Sequence, residues 1–162
     1  MANMTVDISR RYKETIGLGL MQYGLVGYTD HQSGSSAYTC YKGAVMMIDQ
    51  SDVDGYAQPL QSTYTVAPED IFLGICVEQV SVTSSDTSQG DKKVVVATRG
   101  DWCFPVGSLT VTDIGALMYA SDDGTLSTTV GDNLWIGHLV NVDDAGAWVR
   151  IDLAAGMVST GA

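Results

Sequence analysis

A chain of 162 residues with eight Lys or Arg against nineteen Asp or Glu carries a net charge of −11, and so few cations argue against a nucleic-acid phosphate partner. A single domain of this length buries roughly 70% of its unfolded surface and needs no metal or disulfide to hold a core. Cys40, Cys76 and Cys103 are odd in number, far apart and free of any Cys-x-x-Cys pair, which suits reduced, buried thiols rather than a redox or metal centre.

From the N-terminus, Met1-Ala2-Asn3-Met4 leads into no basic segment followed by an apolar run, so no signal peptide is expected. Residues 1–13 hold three basic side chains and one acid, and residues 14–162 hold five and eighteen, which places a basic end of net +2 on a body of net −13. The uncharged stretch Thr15–Thr29 contains Gly17, Gly19, Gly24 and Gly27. It is too short and too glycine-rich to span a bilayer, which takes about 20 apolar residues, and each glycine costs a helix about 1 kcal/mol against alanine. Asp30-His31-Gln32-Ser33-Gly34-Ser35-Ser36 is small and polar, so residues 1–36 are expected to be an extended N-terminal arm with a flexible linker, and 37–162 a β-rich domain ending in a short tail.

After Ala37 come short β segments at Tyr38–Tyr41 and Ala44–Ile48, then a mixed polar stretch containing Pro59. A long strand is expected over Ile71–Val82, with Gly74 marking a bulge or close approach. Lys92–Arg99 is expected to pair with that strand across the Ser/Thr-rich loop 83–91. Pro105, after Trp102-Cys103-Phe104, implies a sheet edge or a strand end. Ser108–Gly115 is the one plausible helical turn, with Thr110 or Thr112 as its cap. Leu117–Ala120 is a strand, Asp122-Asp123-Gly124 a turn and Thr125–Thr129 its return. Leu134–Asp143 and Ala147–Asp152 form a hairpin across Asp144-Ala145-Gly146, with Val149 and Ile151 on one face and Trp148, Arg150 and Asp152 on the other. The fold class is therefore all-β, a small barrel or sandwich with one short helical turn.

Catalytic groups are scarce. The only histidines are His31, in the linker, and His138, within a strand, and neither a nucleophile elbow nor a P-loop is present. Gly17-Leu18-Gly19 lacks the rest of a dinucleotide-binding fingerprint. Asp52-Val53-Asp54-Gly55 overlaps a calcium-loop pattern, but Gln50 and Gln61 stand at its first and last ligand positions. No enzyme activity, metal or cofactor is expected.

At Lys42-Gly43-Ala44-Val45, Leu73-Gly74-Ile75-Cys76, Lys92–Gly100 and Ser108–Ala120, and again at Ile136-Gly137-His138-Leu139-Val140 and Ala147–Asp152, the chain resembles the capsid decoration, or cement, proteins of tailed bacteriophages. The resemblance covers about Ala37–Asp152, and its weight rests on the order and spacing of these glycine-punctuated strands. It implies a structural virion protein, made in the host cytoplasm, that adds to the outer surface of the head. Such proteins commonly sit as trimers at three-fold and quasi-three-fold positions and stabilise contacts between capsomers.

On that resemblance the partner is the major capsid protein, with no direct nucleic-acid or membrane contact. The basic arm is the expected contact, with Arg10, Arg11 and Lys13 meeting acidic groups and Tyr12, Tyr23 and Tyr28 supplying area. Trp102, Phe104 and Pro105 are candidates for a subunit interface, with core packing as the competing reading. The alternative function is a carbohydrate-binding or adhesin-like β-module, in which Trp102, Trp135 or Trp148 would line an exposed groove.

Overall fold

A computed structural model describes residue 4 and residues 12–13, 19–31, 34–50 and 55–153. The described residues form thirteen strands: β1 (Tyr12–Lys13), β2 (Leu20–Gly24), β3 (Tyr38–Cys40), β4 (Val45–Ile48), β5 (Ala57–Pro59), β6 (Ile71–Cys76), β7 (Val80–Val82), β8 (Lys93–Ala97), β9 (Arg99–Phe104), β10 (Leu117–Ala120), β11 (Leu126–Ser127), β12 (Leu134–Asp143) and β13 (Gly146–Asp152). A 3₁₀ turn, Val111–Asp113, lies between β9 and β10. Thr110 caps it, its backbone N–H and hydroxyl both donating to Asp113 Oδ2 at 2.8 and 3.0 Å. The architecture is all-β.

Three sheets build the molecule. The first has the order β1-β9-β13-β12-β10-β11, the second β2-β8-β6-β4-β5, and β3 with β7 makes a two-stranded third. The second sheet curls, because a parallel bridge joins Leu25, just past β2, to Ala57 in β5 and so draws its two edge strands together. Strand β4, between β6 and β5, is buried on both faces. Val45 and Met47 enter a core shared with Trp102, Phe104, Met118, Ile136 and Val149 of the first sheet. Met46 and Ile48 enter a second core with Leu25, Val94 and Val96, closed over by Tyr38, Cys40 and Val82 of the small sheet. A continuous apolar run is what a strand covered on both faces requires, since alternate side chains point in opposite directions.

Two glycines set the phase of this packing. At Gly74 the β4–β6 register shifts and φ is +132°, and a Cβ there would collide with the Ala97 carbonyl oxygen. The bulge lets Phe72 and Ile75, three residues apart, both enter the core between the sheets. β12 repeats the device beside Gly137, where the β10–β12 register shifts and a Cβ would strike the Arg150 carbonyl oxygen. Ile136 and Leu139 both point inward, and His138 is turned out to solvent.

Several elements depart from the sequence expectation. The long strand expected over Ile71–Val82 ends at Cys76, and β7 leaves to pair with β3. Glu78 lies in the gap, where its Oε1 accepts the Val95 N–H at 2.9 Å. Lys93–Ala97 does pair with β6, through Ile75–Ala97 and Cys76–Val96. The stretch around Pro59 is strand β5, at the rim of the curled sheet, a position a residue without an N–H can occupy. Pro105 immediately follows β9, which lies between β1 and β13, so it marks a strand end.

Residues of the expected arm are built into the body. β2 pairs with β8 from Leu20–Ala97 to Gly24–Lys93, and Leu25 and Val26 are buried. His31, expected in a flexible linker, is only 4% exposed. The reason is tertiary: the chain from Gly27 to Asp30 is tied to the loop before β8. Gly27 N–H donates to Gln89 Oε1 at 2.7 Å, Gln89 Nε2 donates to Asp30 Oδ2 at 2.7 Å, and Tyr28 N–H donates to the Asp86 carbonyl at 2.9 Å.

Candidate functional site

Among the described residues, a cavity walled by an unpartnered histidine and an exposed apolar strand edge stand out. The first is a cavity of about 440 Å3 beside the small sheet. β3 and β7 pair antiparallel with Thr39 opposite Ser81, and the two hydroxyls hydrogen-bond to each other at 2.9 Å. Tyr38, on the opposite face of β3, enters the second core and donates its hydroxyl to the Val26 carbonyl at 2.6 Å. That bond, with the ties to Asp86 and Gln89, places the His31 ring flat on the Tyr38 ring, with centroids 4.0 Å apart and planes 7° apart.

His31 lines the cavity, yet neither ring nitrogen has a hydrogen-bond partner among the described residues. Burial pushes its pKa down to about 4, so at neutral pH it is an uncharged imidazole with one donor and one acceptor. Across the cavity lie Tyr41, Gln61 and Asp123. Asp123 Oδ1 accepts the backbone N–H of Met4 at 2.7 Å, and Met4 also lines the cavity. No Lys or Arg lines the cavity among the described residues. The sequence named His31 only as a linker residue, and the signal that could have marked it was weak: one histidine in a polar segment, with nothing to place it against Tyr38.

The second place is the pair of sheet edges formed by β1 and β2. β1 is the edge strand of the first sheet, with Tyr12 opposite Trp102 and Lys13 opposite Asp101, and β2 is an edge strand of the second. On β2, Leu20 and Met21 are 57% and 51% exposed. Another apolar group, Val111, Ile114 and Leu117, is exposed around the 3₁₀ turn.

The residues singled out in the sequence are distributed as follows. Arg10 and Arg11 lie outside the described residues, as do Asp52 and Asp54 of the calcium-like loop. Tyr23 and Tyr28 are partly buried and pack against the second core, so they help to hold the body together. Trp102 and Phe104 are 4% and 1% exposed within the core between the sheets, whereas Pro105 is exposed. Trp148 is buried and donates its Nε1–H to Asp143 Oδ2 at 3.0 Å. Trp135 meets His138 edge-on at 6.0 Å. Two of the three tryptophans are thus buried, and they do not form the exposed groove on which a tryptophan-based sugar site would depend.

Beside the hairpin, Arg150 grips Asp101 through both ends of its guanidinium, Nε to Oδ1 at 2.7 Å and one terminal nitrogen to Oδ2 at 2.8 Å. The guanidinium pKa is raised by that hydrogen bonding and by the carboxylate charge. Among the described residues no group of three or more His, Cys, Asp or Glu could hold a metal ion, and no helix is long and apolar enough to cross a membrane. The three cysteines are buried and form no disulfide. Comparison with protein families, curated proteins and solved structures finds no significant match to this chain.

Proposed function

We propose that the chain is a structural virion protein that binds the outer surface of a phage head and stabilises contacts between capsomers, as a homotrimer on the major capsid protein at three-fold and quasi-three-fold positions. The observation that carries this reading is the edge strand β2, where Leu20 and Met21 are more than half exposed. An edge with free backbone groups and apolar side chains can add a strand or a neighbour. The resemblance over Ala37–Asp152 supplies the class of lattice, and the basic residues Arg10, Arg11 and Lys13 supply charge opposite to that of the acidic body. Repetition on a lattice turns weak contacts into firm attachment.

Because Leu25 and Val26 are buried, a truncation that probes the arm should stop before β2. The full chain is expected to saturate undecorated, expanded heads in a co-sedimentation assay. Removing residues 1–18, or making Leu20→Ser with Met21→Ser, is expected to lower occupancy about tenfold, a loss near 1.4 kcal/mol. Full occupancy by both variants would eliminate this edge as the contact, and a full chain that binds no heads would eliminate the function.

A further inference from the structure

We infer that residues 105–117 and 124–131 form the face on which a second copy of this chain docks, the exposed 3₁₀ turn of one copy meeting a groove on the next. The inference rests on the homotrimer reading above and deepens it by naming the surface that joins subunits. It draws on none of the β2 edge assigned to the capsid. Trp102 and Phe104, the interface candidates from the sequence, lie in the core, whereas Pro105 lies on this face. Of the six large apolar side chains exposed among the described residues, four are here: Val106, Val111, Ile114 and Leu117. The 3₁₀ turn that carries Val111 is held to β12, where Gly115 N–H donates to the Leu139 carbonyl at 2.8 Å and Leu139 N–H to the Ala116 carbonyl at 3.0 Å. Beside it, loop 105–109 and the return 125–129 wall a groove of about 300 Å3, with Val106, Leu109, Leu126 and Thr128 in its lining. β11 is the edge strand of the first sheet, so the groove adjoins a strand edge to which a neighbour can add.

Charge selects the occupant. The chain carries a net −11, so two copies repel wherever acidic surface faces acidic surface. From Trp102 to Gly131 there is no Lys or Arg and there are three acids. Asp122 and Asp123 are buried, and the Asp113 carboxylate accepts the Thr110 N–H and hydroxyl at 2.8 and 3.0 Å. This face is therefore one on which an identical acidic chain meets almost no like charge, while a basic partner would be drawn to the acidic surface elsewhere. Its extent suits the same occupant: of residues 105–131, all but Met118, Ala120, Asp122 and Asp123 keep some exposure, which is close to the roughly 20–30 residues that a standard interface takes from each side. A turn and a groove are different patches, so the contact is heterologous, and heterologous contacts close into rings when the rotation allows.

The test is size-exclusion chromatography with light scattering on the full chain over a range of concentrations, with circular dichroism to check folding. Wild type is expected to assemble. Val111→Glu with Ile114→Glu, on the exposed turn, is expected to need at least tenfold more protein to do so. Thr128→Glu, in the groove wall, is expected to act in the same direction and serves should the double variant fail to fold. Leu20→Ser with Met21→Ser, on the other sheet, is expected to assemble as wild type does. That pattern supports the inference even where wild type binds no heads, in which case the lattice reading alone falls. Wild type that stays a single chain at every concentration overturns it, as do face variants that assemble like wild type. Face variants that assemble normally but no longer decorate heads also overturn it, since the face would then meet the capsid protein.

Discussion

His31 is the residue whose environment departs furthest from what its neighbours in sequence suggest. In the unfolded chain it titrates near 6.5, and in the folded chain burial holds it at about 4. Between these values the unfolded chain binds a proton that the folded chain does not. The stability His31 contributes is therefore fully present above about pH 6.5 and is lost as the pH falls toward 4, by on the order of 2–3 kcal/mol. Asp70 works in the opposite sense, because burial raises its carboxyl against the hydrogen bonds from Ala67, Tyr64 and Gln50, so its folded form takes up a proton before its unfolded form does. Comparing wild type with His31→Phe isolates the histidine: urea midpoints at pH 7 and pH 4.5 are expected to fall further with acid in the wild type. Parallel pH profiles would show that the ring is not held neutral by the fold. Nothing local could have given this, since the seven residues from Asp30 to Ser36 read as a linker and the Tyr38 stack depends on loops 50 residues further along.

Strands β6 and β12 share a design, a glycine at a bulge that shifts the inward-facing positions from spacing two to spacing three. Gly74 was legible as a bulge or close approach because glycine inside an apolar strand has little else to do. The parity change was not legible: strict alternation from Leu134 and Ile136 would carry His138 into the core, and the bulge beside Gly137 sends Leu139 there instead. Gly74→Ala is expected to destabilise the chain by about 3 kcal/mol, since it combines a φ of +132° with a clash against backbone at Ala97. Thermal denaturation followed by circular dichroism measures it, and a melting temperature within a degree of wild type would mean that β6 and β8 can separate at no cost. The hairpin of β12 and β13 was the most readable element, because turn residues and β-branched runs are both local signals. Its faces divide as expected, with Val149 and Ile151 in the core and Arg150 exposed, although Trp148 is buried on the outer face against the level of Asp143.

For the whole molecule, the proposed assembly makes a prediction about mass. Light scattering of the full chain in solution is expected to give three times the chain mass, and a monomer across the accessible concentration range would rule out a trimer preformed before attachment. Composition and pattern alone determined that this chain is all-β and acidic, because strand periodicity, turn residues and charge are properties of adjacent residues. They also placed a helical turn within Ser108–Gly115, with Thr110 or Thr112 as its cap, and the structure takes Thr110. Tertiary structure alone decided that residues 20–31 belong to the body, that the strand after Gly74 divides between two sheets, and that Trp102 and Phe104 fill a core. It also decided that His31 lies buried against Tyr38 at the wall of a cavity. The physical reason is common to all four: each depends on hydrogen bonds and packing between segments distant in the chain, and a one-dimensional pattern carries no record of which segments meet.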